Sequence, residues 1–147
     1  MSSATVVPRT RPYMRARHQV ALGLRLEFAE VGRARREVRD CLVAWRRDEA
    51  VDSALLVVSE LVGNALRHAP NSVIGLTVTA GGGEVLVEVR DGSRKPPVME
   101  PHPDPYSETG RGLPLVHALS RDWGWAPHED GTKTTWAVLP ALEREPA

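Results

Sequence analysis

Residues 57–69 read VVSELVGNALRHA, an apolar stretch that carries one polar column. Glu60, Asn64 and His68 stand four residues apart, so on a helix they lie one above another on a single face. Apolar residues cover the core side of this helix: Leu55, Val58, Leu61, Val62, Ala65, Leu66 and Ala69. The polar side contains apolar residues as well and no lysine, which favours a face that lines a pocket over one washed by solvent.

The helix that contains the column is predicted to run from about Asp52 to Ala69, because Pro70 cannot continue it. Upstream, apolar residues recur at three- and four-residue steps from Val31 to about Arg47, which predicts another amphipathic helix. Its outer face is interpreted as solvated, with a docking surface for an acidic partner as the alternative, and carries Arg33, Arg35, Arg36, Arg39 and Arg46. Before it, alternation predicts a half-buried strand that contains Leu22, Leu24, Leu26 and Phe28.

Downstream of the column the pattern changes to strands, a loop, a short helix and further strands. The AGGG segment at residues 80–83 joins two alternating segments, which is typical of a hairpin. The predicted elements are strands 73–79 and 84–90, a helix from Gly112 to about Ser120, and strands 122–126 and 132–139 joined at Asp130-Gly131. Hairpins outnumber crossovers in this order, which predicts an α+β fold: a two-layer α/β sandwich with a mostly antiparallel sheet covered on one face by helices.

The 147 residues are enough for one domain. We expect a flexible N-terminal tail over residues 1–17, a domain over 18–140 and a C-terminal tail over 141–147. Residues 93–109 contain five prolines and no predicted element, which is typical of a lid or a binding loop.

Composition narrows the classes of function. The formal net charge is zero, which gives no argument for direct binding of nucleic acid or membrane. No apolar run approaches the roughly 20 residues of a transmembrane helix. The single cysteine, Cys41, has no partner for an internal disulfide, and we expect it in the core of the first helix. A soluble cytoplasmic protein is the expectation.

The polar column suits a nucleotide site with a divalent cation. The side-chain oxygen of Asn64 is a hard neutral ligand, and Mg²⁺ takes one or two protein ligands besides substrate phosphates. Glu60, one turn earlier, could orient or deprotonate an attacking hydroxyl, or alternatively form an ion pair with Arg67 or Arg111. An Asn that caps a neighbouring loop is the plainer alternative for Asn64, and His68 is given a secondary role.

Two further motifs follow the column in the order that a nucleotide site needs. Asp91-Gly92 ends a valine-rich strand, where a carboxylate can accept a hydrogen bond from an adenine amino group, although Asp-Gly is also a common turn. Gly110-Arg111-Gly112 opens a helix, whose free N–H groups can bind phosphate. No Walker A motif or dinucleotide fingerprint is present in the sequence.

Taken together, four segments resemble the boxes of the histidine-kinase-like ATPases with the Bergerat (GHKL) fold, specifically the small anti-sigma-factor serine kinases of actinobacteria. The resemblance extends over residues 20–139. Its boxes are SELVGNALRHA at 59–69, VRDGS at 89–93, GRGLPLV at 110–116 and KTTW at 133–136. The sequence departs from the better-studied kinases after Asp91, where SRKPP at 93–97 replaces a second glycine.

The resemblance implies ATP and Mg²⁺ as cofactors, with Asn64 as the magnesium ligand and Glu60 as the general base. It implies that Asp91 binds the adenine amino group and that Thr134 supports this contact through water. It also implies that residues 93–109 form a lid over the phosphates. The other residues that it assigns to nucleotide binding are His68, Gly92, Gly110, Arg111, Gly112 and Leu113.

Members of this family bind a sigma factor or phosphorylate a serine of a STAS-domain anti-anti-sigma protein, often as homodimers. The resemblance therefore implies an ATP-binding regulatory protein with those partners, and protein serine/threonine kinase activity as its catalytic form. A non-catalytic module, in which nucleotide orders the lid and so gates a protein interface, is the alternative. The second alternative is a scaffold protein that no longer binds ATP.

Overall fold

A computed structural model of the chain describes residues 4–5, 7–25, 27–69, 73–93, 95–99 and 112–146. Its centre is a five-stranded antiparallel sheet with the strand order β2-β3-β4-β7-β6. The strands are β1 (Ala4–Thr5), β2 (His18–Leu24), β3 (Ile74–Gly81), β4 (Glu84–Asp91), β5 (Val98–Met99), β6 (Asp122–Pro127) and β7 (Lys133–Pro140). The helices are α1 (Phe28–Ala44), α2 (Val51–His68) and α3 (Gly112–Leu119), with a 3-10 turn at Asp48–Ala50. The predicted fold class is confirmed.

The two faces of the sheet differ because strand residues alternate in direction. Val85, Val87 and Val89 of β4 are buried in the main core together with residues of α1, α2 and α3. Alternate residues of β4 and β7 form a second cluster on the opposite face, made of Leu86, Trp136 and Val138. The helices therefore cover one face only, as the sequence predicts.

The first large strand ends earlier than predicted. Strand β2 pairs with β3 from His18 opposite Ala80 to Leu24 opposite Ile74, which is the first residue of β3. The β2–β3 ladder ends at this pair, and Phe28 begins α1. The prediction that Phe28 belongs to the strand is wrong for this reason, and Leu26 lies outside the described residues.

Residues 7–17, which we call the N-terminal strap, cross the sheet face opposite the helices. Arg9 accepts a hydrogen bond from the Trp136 indole through its carbonyl oxygen at 2.9 Å, and its side chain pairs with Asp122 at 2.6 Å. Met14 packs against the cluster that contains Trp136. The strap therefore covers apolar surface that the helices leave open, while the predicted division into tail, domain and tail stays a prediction.

Glycines permit two close approaches around this face. A Cβ at Gly124 would lie 2.8 Å from a ring carbon of Trp136, so a larger residue would displace the indole. A Cβ at Gly81 would overlap the carbonyl oxygen of Arg15 in the strap. Further along, β1 pairs with β5 through Ala4 opposite Met99, which joins the N-terminal end of the chain to the loop after β4.

Arg47 is the most deeply buried charged residue that the structure describes, with 1% of its surface exposed. Its guanidinium donates to the carbonyl oxygens of Gly82 and Ala141, both at 2.6 Å. The β3–β4 hairpin, the C-terminal segment and the end of α1 are thereby held together. The preceding residue, Arg46, has a φ of 63°.

The interface between α1 and α2 corrects one interpretation of the arginine face. Arg35 donates to the Leu55 carbonyl oxygen at 3.0 Å and to the Ser59 hydroxyl, so it contacts α2 rather than solvent.

On the same helix, burial raises the pKa of the Cys41 thiol, with Glu37 and Asp40 acting in the same direction. Among the helices that the structure describes, none has the length and apolar character needed to cross a bilayer.

Candidate nucleotide-binding site

Helix α2 presents the polar column beside the core. Seven of its residues are buried, whereas Glu60 and Asn64 are half-buried and His68, at the last turn, is exposed. The helix packs against α3, whose start is predicted to bind phosphate, and against β4, whose last residue is predicted to bind adenine. The column therefore lies on a helix that contacts both elements. Half-burial of Glu60 and Asn64 agrees with a pocket-lining face.

Asp91, at the end of β4, forms a buried ion pair that the sequence interpretation missed. Lys133 Nζ lies 2.9 Å from Asp91 Oδ1, and the two side chains are only 3% and 4% exposed. The Ser93 backbone N–H also donates to Asp91 Oδ1, at 2.8 Å, which forms the turn after the strand. Gly92 lies exposed between them. The carboxylate is therefore held in one orientation by Lys133 on β7 and by the backbone of the turn that follows β4.

Thr134 does not share this face. Lys133 is paired with Asp91 across the β4–β7 ladder, while Thr134 is paired with Arg90. Adjacent strand residues point to opposite faces, so Thr134 points away from Asp91. Its hydroxyl lies 2.7 Å from His128 Nε2 instead. The structure therefore places Lys133, and not Thr134, against the carboxylate of Asp91, the residue that is predicted to bind adenine.

His68 connects the column to this ion pair. Loss of hydration is the largest cause that lowers the pKa of His68, and the positive charges of Arg67, Lys133 and Lys95 lower it further, while Asp91 raises it. The charges of Asp91 and Lys133 thus act on the imidazole at the end of α2. The lowered pKa favours the neutral imidazole, which suits a hydrogen-bonding role better than a cationic one.

Helix α3 starts at Gly112, as predicted, and Pro114 lies in its first turn, where no helical hydrogen bond is lost. Leu113 is 5% exposed and belongs to the main core, so its side chain is a packing residue while its backbone lies at the helix start. Gly110 and Arg111 lie outside the described residues, as do residue 94 and residues 100–109 of the predicted lid.

The β6–β7 hairpin fixes the position of Lys133. Asp130 accepts hydrogen bonds from the Thr132 hydroxyl at 2.6 Å and the Thr132 N–H at 3.0 Å, and Arg90 lies 2.6 Å from its other oxygen. Gly131 has a φ of 86°, which agrees with the predicted Asp-Gly turn. The chain therefore enters β7 in a defined register, with Lys133 as its first residue.

We expect Asp130 to titrate far below an ordinary aspartate. The Thr132 hydrogen bonds and the Arg90 charge lower its pKa from 3.8 to about 2. Because the folded pKa is the lower one, this stabilisation is fully present above pH 3.8 and is lost as the pH falls towards 2. Carboxyl carbon NMR should give that midpoint, and Thr132→Ala should return it towards 3.8; an ordinary midpoint in the unmodified chain would contradict the turn geometry.

The cation that the resemblance implies needs few protein ligands. Among the described residues, no group of three or more His, Cys, Asp or Glu side chains is placed to hold a metal. Asn64 offers one amide oxygen on a half-buried helix face that adjoins α3. That donor fits a hydrated Mg²⁺ that is held mainly by phosphate oxygens, and does not fit a cation caged by protein alone.

Comparison with known proteins agrees with this fold. A crystal structure of the RsbU and RsbW domains of Rv1364c from Mycobacterium tuberculosis superposes with a TM-score of 0.60 over 87% of this chain, at 19% identity. At that identity the likeness shows the fold alone, and the chain spans 35% of the length of that structure. No curated protein matches the chain.

The family model described as a histidine kinase-like ATPase domain matches residues 24–138, which is most of the chain. The matched range contains all of α1, α2 and α3, Asp91 and Lys133. Members of such a family share a nucleotide-binding domain, in line with the polar column and the carboxylate at the end of β4. The chain belongs to the histidine kinase-like ATPase domain family.

Proposed function

We propose that the chain binds ATP with Mg²⁺ in the cleft between α2 and the start of α3, and uses it to regulate a protein partner. The observation that carries this proposal is the arrangement around Asp91. A buried, oriented carboxylate lies near the end of the helix that bears Glu60 and Asn64, and that helix packs against α3, which opens at a glycine.

In this site each residue has a distinct task. Asp91 accepts a hydrogen bond from the adenine amino group, and Gly92 leaves room for the base. The backbone N–H groups at the start of α3 and the Arg111 guanidinium bind the phosphates, because an open helix start carries unpaired donors and partial positive charge. His68, neutral beside Asp91, contributes a hydrogen bond at the α2 end of the cleft.

Asn64 would hold Mg²⁺ through its amide oxygen. When bound, that cation neutralises charge on the phosphate oxygens during transfer. Glu60 lies one turn away on the same face, where its carboxylate can accept the proton of an attacking hydroxyl. Catalysis would then rest on positioning and on charge neutralisation, with Glu60 as the catalytic residue.

For the partner, we propose the anti-sigma-factor type of regulation: binding of a sigma factor, phosphorylation of a serine on a STAS-domain protein, and assembly as a homodimer. The resemblance across four boxes supports this assignment. The non-catalytic module is the second candidate, and the pairing of β5 with β1 offers it a route, because a nucleotide-dependent change in the lid would also reach the N-terminal segment.

The binding step has a direct test. ATP with Mg²⁺ at 100 times its Kd should raise the free energy of unfolding by about 2.7 kcal/mol, measured as a thermal shift on the full chain. Asn64→Ala should remove the dependence of that shift on Mg²⁺, because the amide oxygen is its ligand. Gln19→Ala, which changes an exposed amide on β2, serves as the control. No shift at millimolar nucleotide would leave only the scaffold.

A second measurement separates kinase from module. A pull-down from native cells, with and without ATP, should capture the partner in a nucleotide-dependent manner. Radiolabelled ATP and the captured protein then report transfer. Binding without transfer would support the module, and transfer to a serine would support the kinase.

A further inference from the structure

The ion pair between Asp91 and Lys133 is buried on the sheet face that the helices cover. Both side chains are at most 4% exposed, and they lie on neighbouring strands. A buried charge pair loses hydration that its mutual attraction only partly returns, and an apolar pair of similar size often stabilises a fold equally well. Its presence next to the proposed base site therefore calls for a role in recognition.

The hydrogen-bonding groups of the pair are not all used. Asp91 receives the Ser93 N–H and the Lys133 ammonium on Oδ1, and the ammonium also approaches the Ser93 carbonyl oxygen at 3.4 Å. A carboxylate has two oxygens and an ammonium has three N–H donors. Within the described ranges, these contacts do not engage Asp91 Oδ2 or the third N–H of Lys133.

An acceptor and a donor side by side match one edge of adenine. That edge presents the six-amino donor next to the N1 acceptor, so Asp91 can accept from the amino group while Lys133 donates to N1. Guanine in the same pose presents a carbonyl oxygen to the carboxylate and an N–H to the ammonium. Sites that pair polar groups in this way reject the mismatched ligand strongly, because their own groups are left unpaired.

We propose that Lys133 is a specificity-determining residue of the nucleotide site, which donates a hydrogen bond to N1 of a six-aminopurine and orients Asp91 for the amino group. The inference rests on the proposed function, since it takes Asp91 as the residue that meets the base. It explains why a lysine, whose ammonium is costly to bury, lies beside this carboxylate.

The unmodified chain gives the first test. Isothermal titration with ATP and with its 1-deaza analogue, in which a C–H replaces N1, measures the contribution of that one atom. We expect the analogue to bind about 10- to 100-fold more weakly, the range for a hydrogen bond to a charged donor. Equal affinities would overturn the role of Lys133 and leave ATP binding intact, whereas failure of ATP itself to bind would overturn both proposals.

Variants give the second test. In Lys133→Met, ATP should bind more weakly, and the ratio of the two dissociation constants should fall to about one, because no donor remains for N1. Arg39→Met also removes a positive charge, but from an exposed position on α1 outside the nucleotide site, and should leave the ratio unchanged. A preserved ratio in folded Lys133→Met would overturn the inference. If that variant does not fold, the comparison in the unmodified chain decides.

Discussion

In the proposed kinase, Glu60→Gln should lower the rate of phosphoryl transfer about 10²- to 10⁴-fold, the usual contribution of a general base, while the Kd for ATP should change little. The substitution keeps the shape of the side chain and removes its basicity, so it separates proton acceptance from packing on α2. The measurement is single-turnover transfer from radiolabelled ATP to the captured STAS-domain protein, with binding followed by titration on the same samples.

Glu37→Gln is the matched control for this prediction. Glu37 is an exposed residue of α1, so the same chemical change there should leave transfer at the rate of the unmodified chain. Equal rates for Glu60→Gln and the unmodified chain would remove the base assignment. A parallel loss of binding and transfer would instead place Glu60 in a structural role.

Arg47→Met should lower the free energy of unfolding by about 1–3 kcal/mol, because the buried carbonyl oxygen of Ala141 loses its donor, whereas water can replace the donor at the exposed Gly82. Methionine keeps the apolar stem and fills most of the space, so the loss reports the hydrogen bonds. Since a domain of this size is stable by only about 5–15 kcal/mol, urea denaturation should show a large shift of the midpoint.

Arg121→Met is the comparison for Arg47. Arg121 forms an ion pair with Glu84 at 3.2 Å, but the Arg121 side chain is 52% exposed and the Glu84 side chain is 39% exposed. Exposed pairs contribute about 0–1 kcal/mol, so this variant should unfold close to the midpoint of the unmodified chain. Similar losses in the two variants would contradict the importance of burial at Arg47.

The helices and strands could be predicted because their signals are local. Helix α2 was predicted over about Asp52–Ala69 and spans Val51–His68, since a 3.6-residue period and a closing proline both appear within one segment. The two hairpin turns could also be predicted from local sequence. Gly82, in the AGGG segment, has a φ of 56°, which glycine adopts easily. The order of the elements, in which hairpins outnumber crossovers, also predicts correctly that helices cover a single face.

The register between distant strands could not be predicted in the same way. Lys133 and Asp91 are 42 residues apart, and their contact depends on which residue of β7 lies opposite the end of β4. A shift of one position sends every side chain of a strand to the other face. The interpretation of KTTW therefore selected Thr134, and β7 gives no alternating pattern that would indicate Lys133 instead, because residues on both of its faces are buried.

The strap was missed because nothing in its own sequence signals where it packs. Arg9 and Trp136 are 127 residues apart, and the strap has neither an apolar period nor a motif. Its contacts are set by the surface it covers, an apolar cluster on the open side of the sheet. Such a partner becomes visible only when the sheet has been assembled.

The family match covers only residues 24–138, and a fragment with these bounds would lack several stabilising contacts. A chain trimmed to residues 24–138 would lose nearly all of β2, the whole strap and the Ala141 carbonyl that Arg47 binds. Strand β3 would become a bare edge, with backbone groups open to any other strand, and the Trp136 indole would face water. Trimmed versions of this protein are therefore expected to aggregate, which makes insolubility of a minimal fragment uninformative about nucleotide binding.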